Sequence, residues 1–566
     1  DSLFFVRGSY NNYQDVETRD LSKSIFEDGS FSSVTGDSFT YDNTATEIEL
    51  KEREENMRIF VASIGGEQTF EDWMVDYTLA FSEAEEDTPF DREVVYAADG
   101  ASTTTVTDAG GYKPRLGPAT PGTTDYSDPG VYELDKFVFG EQLVTETDLS
   151  AKANFKREFD NDRLNYIKFG GLARNKEKEN DADEAENEDD PGFANYLQGS
   201  RRNFLNRPTP SLNTGILDFA NANNSFDPEP EASIVEDYDT TENVFAAYLM
   251  GSLQFGGWDV IVGARVEHTD FETEGFEFDK DTDLSAETKF DKDYTNVLPG
   301  IHVRRDVGEN GVFRASWTNT IARPTFEQSR PGIVIEESEG EIERGNPDLD
   351  PYEAMNLDAS FQYYSDDYGV FGIAVFYKDI ENFIYEQVFE ETIDGDDFEI
   401  TDFENGEDGD ILGLELSYSK QFTSLPGALA GLSLSGNLTL TDSEATATRE
   451  EGDIAETSFL KQSDVIGNIS LAWEWDRFFV RLSGTYRDDY LDEIGADPDG
   501  FEDRYVDDFF QVDLYTSVRV YKELSIFAEV NNLTDEPFRA YWGESGRLSQ
   551  YEEYGVSGAI GAKWKF

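Results

Sequence analysis

The chain has 566 residues, 120 of them acidic against 45 basic, and a formal charge of −75 at pH 7. That charge repels a phosphate backbone and excludes nucleic acid as a partner. The absence of cysteine excludes disulfides, zinc thiolates and a Cys nucleophile, and two histidines, His268 and His302, give no support to a Ser-His-Asp triad. The mean hydropathy is −0.58, and no run of about 18 apolar residues marks a transmembrane helix. Such values suit a barrel with polar loops, because a barrel strand shows lipid only at every second residue. Residue 1 opens onto Leu3-Phe4-Phe5-Val6 without a basic leader; the expectation is a processed chain or a fragment.

In chain order, residues 3–13 alternate as a strand. Residues 14–50 are polar and read as a long loop. A hairpin follows over 57–66 and 73–82, with Trp73, Val75, Tyr77, Leu79 and Phe81 on one face. Residues 83–142 read as a second long connection. The next hairpin is 143–157 with 163–173, and the acidic stretch 180–190 reads as unpacked loop. Five more hairpins share this rhythm: 244–255 with 258–268 about Gly256-Gly257, 294–304 with 311–320, 355–363 with 370–378, 411–422 with 432–441, and 465–473 with 478–486. A last hairpin, 510–520 with 524–530, precedes the closing strand over 553–566. One opening strand, eight hairpins and a closing strand make about 18 strands.

Alternation alone also suits a two-layer sandwich. Two features favour a membrane barrel. Short turns alternate with long loops along the whole chain, which segregates them to opposite ends. Trp73, Trp258, Trp317, Trp473, Trp475 and Trp564 cluster near predicted strand ends, as in interfacial girdles. The chain closes on an aromatic; Trp564 and Phe566 are expected to face lipid, with Lys563 and Lys565 toward the lumen or rim. Acidic runs at 394–397 and 404–410 resemble calcium loops in composition only. No metal, cofactor or catalytic residue is expected.

Four stretches carry a family resemblance: Asn319-Thr320-Ile321-Ala322-Arg323-Pro324; Gly345-Asn346-Pro347-Asp348-Leu349-Asp350-Pro351-Tyr352-Glu353; Val375-Phe376-Tyr377-Lys378-Asp379-Ile380-Glu381-Asn382-Phe383-Ile384; and Val530-Asn531-Asn532-Leu533-Thr534-Asp535-Glu536-Pro537-Phe538. With the aromatic end, and in this order, they resemble the C-terminal part of a TonB-dependent outer-membrane receptor, most of all the subfamily common in xanthomonads and caulobacters. The resemblance implies an all-β, antiparallel transmembrane β-barrel of 22 strands, with short periplasmic turns, long extracellular loops and an N-terminal plug that meets TonB. With about 18 strands counted, residues 1–566 are expected to form the barrel domain without the plug and without the first four strands. The implied function is TonB-dependent uptake of a scarce solute across the outer membrane of a Gram-negative bacterium, and no enzyme activity. A passive porin and a β-rich surface binding protein are the alternatives. Implied partners are outer-membrane lipid, TonB through the plug, and the barrel-assembly machinery, to which Trp564 and Phe566 form the assembly signal. An acidic mouth would repel anionic ferric chelates, which favours a saccharide or a cation-bearing ligand; Tyr112, Tyr126 and Trp542 could stack on sugars or equally belong to the aromatic girdles, and no substrate-binding residue is named.

Overall fold

The computed structural model describes residues 2–25, 30–35, 38–107, 115–118, 128–161, 163–187, 197–202, 208–210, 227–228, 233, 236–279, 284–336, 341–365, 369–393, 396–449, 454–495 and 500–565. Eighteen strands follow one another in one antiparallel wall. They are β1 (Ser2–Ile25), β2 (Ser38–Phe70), β3 (Trp73–Thr107), β4 (Glu133–Glu158), β5 (Leu164–Asn187), β6 (Tyr238–Phe255), β7 (Trp258–Asp279), β8 (Leu284–Val307) and β9 (Gly311–Ala322). The second half holds β10 (Tyr352–Ser365), β11 (Gly369–Glu381), β12 (Asp408–Gln421), β13 (Leu432–Thr448), β14 (Val465–Trp475), β15 (Phe478–Arg487), β16 (Phe509–Tyr521), β17 (Leu524–Asn531) and β18 (Ser557–Trp564). Each pairs with its neighbours in sequence, so the order predicted from alternation holds throughout.

The faces divide by period two. One face carries Phe245, Leu249, Val262, Val266, Leu357, Phe371, Ile469 and Leu482, all large, apolar and exposed. An unbroken band of such residues on a wall of this size is what lipid covers. The other face carries Asp76, Asn154, Arg174, Arg304, Asp358 and Asn468, joined across strands by hydrogen bonds such as Asn154 Nδ2 to Asp76 Oδ1 at 2.6 Å and Asn468 Nδ2 to Asn437 Oδ1 at 3.0 Å.

Turns at one end are tight. Asp476-Arg477 and Lys522-Glu523 each join two strands, with Asp476 and Lys522 at positive φ. Gly256 and Gly257 have φ of 58° and 82°, the left-handed pair that a two-residue hairpin of the right twist requires. Gly257→Val should therefore cost about 1–2 kcal/mol, read as a lower urea midpoint for unfolding in detergent. Both chain termini lie at this end, since Ser2 pairs with Gln68 and Trp564 with Leu524.

At the other end, the strands run well beyond the expected loops. Residues 14–25 continue β1, residues 38–50 belong to β2, residues 83–107 continue β3, and residues 175–187 continue β5. The expectation of loops there is corrected. These polar extensions hold together through cross-strand charge pairs: Arg53 with Glu17 at 3.1 Å, Arg58 with Glu85 at 2.9 Å, Lys51 with Asp91 at 2.8 Å, Lys176 with Glu146 at 3.0 Å. They also enclose a small core of Ile48, Leu50, Val94, Tyr96, Ala98, Tyr132 and Phe137. Asn180 and Ala182, read as unpacked, are buried against the segment before β6, where the Asn180 side chain donates to the Glu236 carbonyl and the Ala182 amide to Asp237 Oδ1. Residues 188–190 lie outside the described set, as do Tyr112, Tyr126 and the 394–395 part of one acidic run.

Among the described residues β1 pairs with β2 and β18 with β17, so each leaves one edge without a strand. Val6 and Ile560, on these edge strands, are 80% and 81% exposed, against 40% for Val262 inside the wall. The Tyr554 phenol, pushed up to about 12 mainly by its hydrogen bond to Glu552, also feels Glu17 of β1.

Candidate functional site: inner wall and external mouth

The inner face at the short-turn half of β7–β14 is concave, enclosing about 910 Å³ beside His302, Arg304, Arg314, Asp358, Glu415 and Asn437. Arg314 Nη1 donates to Gln362 Oε1 at 2.7 Å, and Arg304 Nη1 pairs with Asp259 at 3.1 Å. The lining mixes both charge signs with polar and apolar side chains.

The four sequence motifs tie the mouth to the wall. Arg323, the first residue past β9, turns into the cylinder. Its Nη2 donates to Glu267 Oε2 at 2.7 Å and to Thr269 Oγ1 at 2.9 Å, and its Nε lies 3.4 Å from Glu242. Asn346 donates to the Phe403 carbonyl at 2.7 Å and accepts from the Asp348 amide at 3.0 Å. Asn382, at φ 58°, leaves β11, and Asn405 Nδ2 donates to its carbonyl at 3.0 Å. Asn532, at φ 57°, donates to the Glu536 and Gly555 carbonyls while its amide donates to Asp513 Oδ1 at 2.9 Å. Asparagine suits these places because it tolerates the left-handed region and bonds its own backbone neighbourhood.

A second, four-stranded sheet stands over β13–β18. It pairs Tyr490–Glu493, Arg504–Val506, Phe538–Trp542 and Leu548–Glu552, and so joins two connections that sequence reading left as separate loops. Arg449 locks it: Nη1 and Nη2 donate to the two carboxylate oxygens of Asp503 at 2.6 and 2.8 Å, both groups buried. Tyr505 and Tyr541 stack with centroids 5.5 Å apart. Burial, then the 2.6 Å hydrogen bond to Asp489, pushes the Tyr541 phenol up.

Around the base of this sheet sits a cluster of aspartates. Burial, followed by Asp488, Asp442 and Asp489, raises Asp464 above the usual carboxylate range. Burial, followed by Asp507, Asp488 and Asp489, raises Asp508, with Arg539 opposing. No grouping of three or more His, Asp or Glu with metal-holding geometry occurs among the described residues.

Of the residues singled out from sequence, Trp564 lies on the outward face of β18, 66% exposed; Phe566 lies outside the described residues. Trp73, Trp258 and Trp475 sit beside short turns, with Trp258 edge-on to Phe313 at 6.0 Å. Trp317 does not: it is mid-strand in β9, opposite Ile301 and Leu357, where an outward aromatic fills the lipid-facing band. Trp542 ends a strand of the external sheet and is half-buried, a poor platform for stacking. Sequence reading missed Arg449, Asp503 and Arg323's partners, because each pairing joins residues far apart in the chain.

The unbroken antiparallel order of strands, the apolar outer band and the polar lumen define an outer-membrane β-barrel wall. A profile of the family described as TonB dependent receptor-like, beta-barrel, matches residues 72–533. The chain belongs to the TonB-dependent receptor family; it is an outer-membrane transport receptor of a Gram-negative bacterium that takes up a solute in a TonB-dependent way. Solved structures with a TM-score above 0.5 agree on the fold. The ferric-catecholate import receptor Fiu from E. coli K12 is 12% identical over 100% of this chain and 82% of its own, with a TM-score of 0.54. The copper transporter OprC is 10% identical over 98% and 80%, with a TM-score of 0.51. The ferric enterobactin receptor PfeA of Pseudomonas aeruginosa, in a mutant form, is 13% identical over 97% and 81%, with a TM-score of 0.48. A sequence comparison with curated proteins gives no match.

Proposed function

We propose that the solute taken up is a neutral saccharide or a cation-bearing molecule rather than an anionic ferric chelate. One observation carries this reading: the aspartate cluster of Asp442, Asp464, Asp488, Asp489, Asp507 and Asp508 at the mouth, in which burial and then the neighbouring carboxylates raise Asp464 and Asp508. A mouth of that sign repels anions by a long-range, salt-screened field. The ferric-catecholate and copper cargoes of Fiu and OprC belong to those proteins; at such identity they share the fold alone. Uptake by intact cells of labelled neutral oligosaccharides, set against ferric catecholates, tests the reading. Oligosaccharides should enter in a saturable way and the chelates should not; saturable chelate uptake at physiological salt overturns it. The pH dependence follows from the sign of the shifts. Folded-state values above the unfolded ones mean the folded mouth binds more protons, so its stability falls as pH rises through the raised values. The external sheet's amide protection factors, with the base-catalysed intrinsic rate divided out, should therefore rise on going from pH 7 toward pH 4, roughly the carboxylate range.

The same reading has the chain's wall completed by four further strands between β1 and β18, and a plug that brings TonB into contact. Among the described residues β1 and β18 each pair with one strand alone, which supports it, since an unpaired edge in lipid leaves backbone groups without partners. In this cysteine-free chain, Val6→Cys with Ile560→Cys should give no disulfide in the assembled receptor. A disulfide in high yield would mean that β1 and β18 meet directly, as in a passive porin. Outward residues contact lipid, Trp564 and Phe566 are read by the barrel-assembly machinery, and the wall performs no catalysis.

A further inference from the structure

The described start of the connection after β9 turns into the cylinder. Residues 323–332 run back along its inner face, over β5, β6, β7 and β8. Arg323 grips Glu242 of β6 and Glu267 and Thr269 of β7. Phe326 meets Phe271 of β7 at 6.3 Å, and the Lys176 ammonium of β5 lies 4.7 Å from its ring. A side chain at Gly275 of β7 would come within 2.8 Å of Pro331, so the glycine is where the crossing segment touches the wall. Beneath it the inner face of β6 is buried at every second residue from Tyr238 to Ala246, while the outer face is not. Thr269 and Thr273 are 0% exposed.

The segment is braced along its length. Thr325 and Gln328 exchange side-chain-to-amide hydrogen bonds at 3.0 and 3.2 Å. Beyond it, Ile333–Ile335 pair in parallel with Glu277–Asp279 of β7, and Glu341–Glu343 pair in parallel with Glu399–Thr401 of the β11–β12 connection. Parallel pairs in an otherwise antiparallel molecule show that the chain crosses over rather than folding back beside its neighbour. Arg344 to Asp402 at 2.7 Å and Lys292 to Asp350 at 2.8 Å fasten the far side.

We propose that residues 323–332 form a fixed inward strap, pinned by Arg323, that narrows the mouth over β5–β8 and limits how bulky a molecule reaches the lumen there. This holds for any solute class and needs only that the barrel is the conduit. Arg323 is a positioning residue: it holds the strap and does not contact the solute.

Because the chain has no cysteine, a single engineered thiol reports on the strap. The receptor with Thr273→Cys, in outer membranes of intact cells, is treated with maleimides carrying polymers of increasing length, and Glu272→Cys on the outer face serves as the exposed reference. Thr273→Cys should react at least about tenfold more slowly than the reference, since a covered site labels only through local opening. Adding Arg323→Ala, or independently Gly275→Leu, which displaces Pro331 without touching a charge, should bring its rate near the reference and admit longer polymers. Arg323→Lys should restore part of the protection. Heat-modifiable migration of each variant confirms an assembled barrel. Fast labelling of Thr273→Cys in the otherwise unaltered receptor overturns the strap; protection unchanged by both added substitutions overturns Arg323 as its pin.

Discussion

Ile560→Lys is expected to lower sharply the fraction of receptor assembled in the outer membrane. Ile560 stands on the outward face of β18, opposite Ala528 and between Gly558 and Ala562 on that face, at 81% exposure. An ammonium placed there faces hydrocarbon at mid-depth, at a cost of about 2–4 kcal/mol. Folded domains have only about 5–15 kcal/mol in hand, and β18 is a short strand with one free edge. Ala559→Lys is the matched control: one residue away, it faces the lumen beside Glu529 and should assemble normally. The ratio of heat-modifiable to unfolded protein in purified outer membranes measures both. Equal assembly of the two variants would mean that β18 does not present this face to lipid.

The second large effect is expected at Arg449. Replacing it by Ala leaves the Asp503 carboxylate buried without its two charged donors, which costs about 3–5 kcal/mol when one partner of a buried pair is removed. The loss is local. Arg449 follows β13, while Asp503 precedes the Arg504–Val506 strand, and the Gly495 carbonyl and amide complete the junction at 2.9 and 3.0 Å. Residues 490–506 and 538–552 should lose amide-exchange protection while the membrane strands keep theirs. Arg449→Met combined with Asp503→Leu should recover much of the protection, because an apolar pair incurs no desolvation penalty. Protection unchanged in Arg449→Ala would show that the external sheet stands without this tie.

The wall was legible because lipid imposes a strict rule. Alternation such as Met355, Leu357, Ala359, Phe361 against Asn356, Asp358, Ser360, Gln362 marks β10, and Gly256-Gly257 marks its own turn. The strand count and the end at which the termini lie both follow from that rule. Beyond the lipid the rule lapses. Residues 14–25 and 83–93 carry polar or charged residues on both faces, so their polarity reads as loop, although Arg53–Glu17 and Lys51–Asp91 pairs hold them in register. The mouth was least legible. The Arg323 strap, the parallel pairings and the Arg449–Asp503 junction join residues far apart in sequence, and an arginine with its carboxylate fifty residues away leaves no periodic trace. The motifs were visible as turn chemistry; that they fasten the mouth to the wall required the fold.

Energy dependence separates an active receptor from a passive pore. The most direct measurement is initial uptake of a labelled neutral oligosaccharide, at a concentration too low for diffusion to sustain, in cells carrying the receptor with and without TonB. Uptake that depends on the receptor and falls to background without TonB is the predicted result. Receptor-dependent uptake that proceeds equally without TonB would contradict the account.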